Sequence, residues 1–236
     1  MQRLSVSASS LGQKTEAGMD EIVLPLHVEL YSDSPGYTQE VFERNILPQI
    51  NQLWSGQAHI RFAVPPGGGW TRIRDANLRL GNRLFEVNTQ HVDPHYDRLT
   101  FEDDQLRGIA RRPPSSGIRI CIMNEWRVTE TDGRTRRPSV SAHNEGTLGA
   151  ALGALQKFRR MGLVRTIVVR SDAAQDALRL AHEIGHLLIG PGHADQRGYL
   201  MSGGTDRIYN RLTEQDINTA RDTAQHIPGH RIVHVP

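Results

Sequence analysis

The chain has 236 residues, 37% of them hydrophobic and 23% charged, with a formal net charge of +2. That balance lies outside the disordered class, which couples few apolar residues to a high net charge, and the length suits one well-buried core. The basic residues are nearly all arginine, lysine occurring only at Lys14 and Lys157, and the arginines are scattered, so no nucleic-acid partner is expected.

Cys121 stands alone, which excludes an internal disulfide framework and a cysteine-based zinc site. It lies in the apolar run Ile118 to Met123, where a buried, inert thiol is expected. No stretch approaches the ~20 apolar residues of a membrane span. Residues 1–20 lack the apolar core of roughly 7–15 residues that marks a secretory signal. Synthesis in the cytoplasm is expected, with any export by a route that reads no such signal, and a monomer is expected.

Residues 1–20 are rich in Ser, Gly and Gln without periodicity and read as a flexible lead-in. Residues 21–236 read as a single catalytic domain. Ile22 to Tyr31 is a strand interrupted by Pro25, and Ser32 to Gly36 is a turn cluster. Phe42, Ile46, Ile50 and Leu53 recur at helical spacing over Thr38 to Trp54, with Pro48 expected to kink or restart the helix. His59 to Val64 is a second strand, and Gly117 to Trp126 another. Residues 70–116 carry no clear pattern, and 127–144 read as a long polar surface loop. Gly146 to Leu155 has the thin side chains of a strand that something approaches closely. Leu163 to Val169 is β-branched, and Ser171 or Asp172 is expected to cap a helix from Ala173 to Leu188. Thr213-Glu214-Gln215-Asp216 opens a last helix to about Gln225, ended by Pro228-Gly229. This order is an α/β layout, sheet first and chemistry second.

The chemistry concentrates in His182-Glu183-Ile184-Gly185-His186. Histidines four residues apart on a helix share a face, so both imidazoles can reach one ion. Glu183 then points beside that ion, where a general base belongs. A catalytic zinc site needs a third protein ligand and an open position. Gly190-Pro191-Gly192 stops the helix, and His193 follows, able to fold back toward the same ion.

The run from His182 to Gly204, with its HExxH helix, glycine turn, third His and Leu200-Met201 turn, resembles the metzincin clan of zinc metallopeptidases. Leu212 to Ile217 resembles the start of that clan's C-terminal helix. The resemblance implies an α/β (α+β) fold: a mixed twisted sheet with an antiparallel edge strand, an active-site helix and a C-terminal helix. It implies one catalytic Zn2+ on His182, His186 and His193, Glu183 as general base, and a peptide or protein substrate cut internally. Met201 would pack beneath the metal, and Tyr209, or Tyr199, could stabilise a developing oxyanion. The edge strand pairing with substrate would fall at Gly146, Thr147, Leu148 and Gly149, on to Ala151.

One departure stands out. Ile189 occupies the clan's glycine position, so Gly190 and His193 each come one residue late. Asp195 and Asp206 stay in play as third ligand, since Gly204-Thr205-Asp206 with Tyr209 loosely resembles the aspartate-ligand zincins. Pro94 separates His91 from His95, and Pro228-Gly229 interrupts His226, His230 and His234, so no second metal site is expected. Two other functions share these residues: a zinc hydrolase of a non-peptide amide, such as a cell-wall crosslink, and a non-catalytic zinc-binding module.

Overall fold

A computed structural model describes residues 20–31, 37–73, 86–88, 109–111, 113–123, 127–129, 149–154, 159–160, 162–171, 173–192, 199–202 and 210–235. The fold is mixed α/β, built on a mostly parallel sheet. Its spine is β1 (Asp20–Leu30). On one side β1 pairs in parallel with β2 (Ile60–Ala63) and then β3 (Trp70–Arg72). On the other it pairs in parallel with β5 (Ile118–Met123), and antiparallel with β9 (Arg231–His234). The sheet continues from β5 to parallel β8 (Thr166–Arg170) and ends at antiparallel β7 (Gly149–Ala150). A separate pair joins β4 (Glu86–Asn88) to β6 (Arg127–Thr129).

Pro25 fits inside β1 because of how the partners divide. Ile22 and Val28 donate toward the β2 and β3 side, to His59 O at 2.8 Å and Gly69 O at 2.7 Å, while Tyr31 donates the other way, to Ile122 O. An N–H at residue 25 would therefore face the side where β9 stops at Val23 and β5 starts at Leu26. The missing donor falls in that gap, so no ladder bond is lost.

Strand alternation sends Leu24, Leu26, Val28 and Leu30 of β1, with Ile118, Ile120 and Ile122 of β5, to one face. Helices cover it. A chain of helical turns runs from α1 (Gln39–Val41) through a π-segment (Phe42–Ile46) into α2 (Leu47–Ala58). The α3 helix (Ala177–Leu188) packs against α2, and α4 (Glu214–Gln225) against both. Ile50, Leu53 and Trp54 of α2, Leu180, Ala181 and Ile184 of α3, and Ala220 and Ala224 of α4 meet in the core with the sheet.

Several elements differ from expectation. Pro48 lies in the first turn of α2, and the irregularity sits just before it as the π-segment, whose wider turn accommodates a ring that would crowd the carbonyl four residues back. The helix then continues past Trp54 to Ala58. The active-site helix starts later than Ala173: residues Ala173–Gln175 form a separate 3-10 turn. Asp176, and neither Ser171 nor Asp172, is the N-cap, accepting from Leu178 N–H at 3.0 Å and Arg179 N–H at 3.3 Å. A carboxylate there also meets the positive end of the helix dipole. The last helix matches its reading, with a reciprocal capping box between Thr213 and Asp216. Arg127–Thr129 pairs as β6 inside what read as loop, and β3 and β9 were not anticipated.

Among the described residues no helix is long and apolar enough to cross a membrane.

Candidate metal centre

The α3 helix buries nearly everything from Leu180 onward, and that includes His182, Glu183 and His186, exposed by 1%, 6% and 5%. Three ionisable side chains in so dry a place cost free energy unless each finds a partner. The histidines find theirs in the backbone. His182 Nδ1 lies 2.6 Å from Leu200 O, and His186 Nδ1 lies 3.1 Å from Gly190 O. A carbonyl can only accept, so both rings donate through Nδ1, and in each neutral ring Nε2 is the nitrogen with the lone pair. This is how a metal-binding histidine is prepared: its other nitrogen is tied down, which sets the tautomer and the ring direction. The rings stand edge to face with centroids 4.5 Å apart.

The loop from Tyr199 to Ser202 supplies one of those carbonyls. Its turn is closed twice, by Ser202 N–H donating to Tyr199 O at 3.0 Å and Tyr199 N–H donating to Ser202 Oγ at 3.1 Å. Leu200 N–H donates to Arg211 O at 2.8 Å. Met201, buried to 2% exposure, lies against α3 at Gly185. A Cβ built on Gly185 would overlap Met201 Sδ and would face Trp54 Cζ2 at 3.6 Å. The glycine between the two histidines therefore leaves room for Met201 against the helix, which offsets the roughly 1 kcal/mol that glycine costs inside a helix.

The helix ends at Ile189, whose N–H donates to Gly185 O at 2.7 Å, and Gly190 follows at φ +131°. That angle suits glycine and turns the carbonyl of residue 190 back to His186. A glycine thus stands where positive φ is used.

The structure brings His182, Glu183, His186 and Met201 together, with Tyr199 at the mouth of the Met201 turn. Gly149 lies in β7, which pairs with Val169 of β8 at the end of the sheet and beside α3; no other described strand pairs with it. His193, its rivals Asp195 and Asp206, Tyr209, and Gly146, Thr147 and Leu148 lie outside the described residues. Among the described residues no group of three metal-ligating side chains assembles. The donor set in view is the histidine pair, and two buried imidazoles held at Nδ1 by carbonyls have Nε2 as the nitrogen that would face a metal ion.

Sequence reasoning did not find the carbonyls of Leu200 and Gly190, because a main-chain acceptor leaves no mark on residue type. Gly185 was findable: an interior helical glycine signals a close approach.

No protein-family model matches the sequence, and no curated protein matches it. Among solved structures the chain is similar to metalloproteinase-II from Bacteroides fragilis, at 13% identity and a TM-score of 0.45, covering 85% of this chain and 53% of that one. The chain thus spans about half the length of that protein.

Proposed function

We propose that the chain is a zinc-dependent endopeptidase. The observation that carries this reading is the pair of buried imidazoles one helical turn apart, each held by a carbonyl at Nδ1, with buried Glu183 between them in sequence. His182 and His186 hold the zinc through Nε2, and His193 completes the set. Zinc held there supplies Lewis acidity toward the scissile carbonyl and makes a water acidic enough to lose a proton near neutral pH.

Glu183 takes the proton from the attacking water and returns it to the departing amine. Its burial keeps the carboxylate away from bulk solvent, so it exchanges protons with the reaction. Leu200 and Gly190 hold the two rings still during that exchange. An extended substrate adds to the sheet along β7 by main-chain hydrogen bonds, and the place of that strand at the end of the sheet supports a peptide over a compact amide.

Replacing Glu183 with Gln keeps the volume and removes the base. The expected outcome is unchanged zinc content with turnover of a mixed peptide library down about 10²–10⁴-fold. Wild-type turnover by the Glu183→Gln protein sinks the proposal. Turnover only of a non-peptide amide moves it to the other hydrolase class.

A further inference from the structure

Two side-chain amides on α2 do the same job at different places. Asn51 Nδ2 donates to Phe62 O at 3.0 Å and Asn51 Oδ1 accepts from Phe62 N–H at 2.8 Å. Six residues on, Gln57 Nε2 donates to Asn210 O at 2.6 Å and Gln57 Oε1 accepts from Leu212 N–H at 2.8 Å. In each case the amide imitates the neighbouring strand that a stretch of extended backbone would otherwise pair with. The backbone partners settle which end of each amide is which, since an N–H only donates and a carbonyl only accepts.

What the two clamps hold differs. Asn51 fastens the middle of β2. Gln57 fastens residues 210 to 212, and that segment is the support of the histidine-binding turn. Arg211 O, between the two clamped residues, accepts from Leu200 N–H at 2.8 Å, and Leu200 O receives His182 Nδ1 at 2.6 Å. The path from Gln57 to the ring is a short series of hydrogen bonds through main-chain groups that take part in no other described element.

We propose that Gln57 is a positioning residue for His182, holding segment 210–212 so that the Leu200 carbonyl keeps the ring in its Nδ1–H form and aimed at the metal. This rests on the reading of His182 as a zinc ligand. Gln57 touches neither the ring nor the metal, and acts through Asn210, Leu212, Arg211 and Leu200.

The experiment compares Gln57→Met with Asn51→Leu, each of similar size to the residue it replaces and each lacking the amide. Zn2+ dissociation constants come from competition with a chelator, and ring 15N shifts of His182 in the metal-free protein give the tautomer. Gln57→Met is expected to weaken zinc binding about tenfold and to mix the two tautomers. Asn51→Leu is expected to lower the melting temperature while leaving zinc affinity within about twofold and the tautomer intact. Gln57→Glu keeps the acceptor for Leu212 N–H but sets a carboxylate oxygen against the carbonyls of Asn210 and Leu53, so it is expected to weaken zinc binding at least as much as Gln57→Met and serves if the latter does not fold.

Equal zinc affinities in the Gln57 and Asn51 variants, or a His182 tautomer that ignores residue 57, overturn the proposal. A wild-type protein that binds no zinc overturns the metallopeptidase reading. The ring 15N shifts then decide the role of Gln57 alone: a tautomer mixed by Gln57→Met upholds it and an unmoved one ends it.

Discussion

The two faces of the sheet come from alternating residues of the same strands and are chemically opposite. Leu24, Leu26, Val28 and Leu30 alternate with Val23, His27, Glu29 and Tyr31, and Ile118, Ile120 and Ile122 alternate with Arg119 and Cys121. The first set meets the helices as an aliphatic layer. The second set carries a buried polar cluster: Arg119 donates to Ile109 O at 2.9 Å and Thr166 Oγ1 at 3.0 Å, and sits 3.7 Å from Glu29. Tyr31 donates to the same carboxylate at 2.5 Å. Burial, then the Cys121 thiol and the Glu29 carboxylate, push the Tyr31 phenol up, so it stays protonated as a donor. The lesson is that burying polar groups does not mark the working side. The candidate metal centre grows from the helix that covers the apolar face, while the polar face gathers Arg119, Glu29, Tyr31 and Thr166 into a cluster on the other side of the sheet.

The sharpest way to break that comparison is Arg119→Met. It leaves Glu29 short of its cation, and stability should fall by about 3 kcal/mol in a denaturant titration, with zinc affinity unchanged. If zinc binding falls with it, the two faces are coupled and the contrast fails. Pairing Arg119→Met with Glu29→Leu should recover only part of the loss, since it removes the uncompensated carboxylate but takes a partner from Ile109 O, Thr166 Oγ1 and the Tyr31 hydroxyl.

A smaller effect is expected at Glu21, where β1 begins. Burial raises its carboxyl pKa, but the Ser55 hydroxyl and the Arg61 guanidinium, at 2.5 and 2.8 Å, together outweigh burial and hold it below its ordinary 4.5. Folding therefore releases a proton there as pH falls toward that range. The contribution is complete above 4.5 and is lost as pH drops through the lowered folded value. Glu21→Gln should cost roughly 1–2 kcal/mol at neutral pH and flatten the acid limb of the stability profile. An unchanged acid limb would mean other carboxylates govern it.

The smallest stability effect and the most selective belongs to Gly185→Ala. Helix propensity gains about 1 kcal/mol, while the new methyl displaces Met201 Sδ, the mobile end of a side chain. The two should leave stability within about 1 kcal/mol of wild type while zinc affinity falls. Arg119→Met and Gly185→Ala are thus expected to move stability and metal binding in opposite proportion.

Much of this was legible in residue order. The spacing of His182 and His186 needs only a helix, and the apolar side formed by Ala177, Leu178, Ala181, Ile184 and Leu188 announces one. Thr213 and Asp216 announce a capping box, and the alternation of Ile118 to Met123 announces a strand. The misreadings share a cause: local chemistry offered more than one solution and tertiary contacts chose. Ser171, Asp172 and Asp176 can all cap a helix, and the 3-10 turn at Ala173–Gln175 passes the role to the last. Arg231–His234 is four exposed residues with no hydrophobic alternation to read, and it is a strand because β1 has an open stretch beside Asp20 to Val23.

The acceptors at Leu200 and Gly190 have a further consequence for how this site can vary. A carbonyl belongs to every residue, so no replacement at either position deletes it; a substitution can only shift the backbone that carries it. The orientation of both rings is therefore insulated from side-chain drift at 200, and at 190 it is sensitive only to the backbone angle. Variation that reaches the rings has to come from the scaffolding around those two peptides, and sequences that look unlike one another there could hold the same geometry.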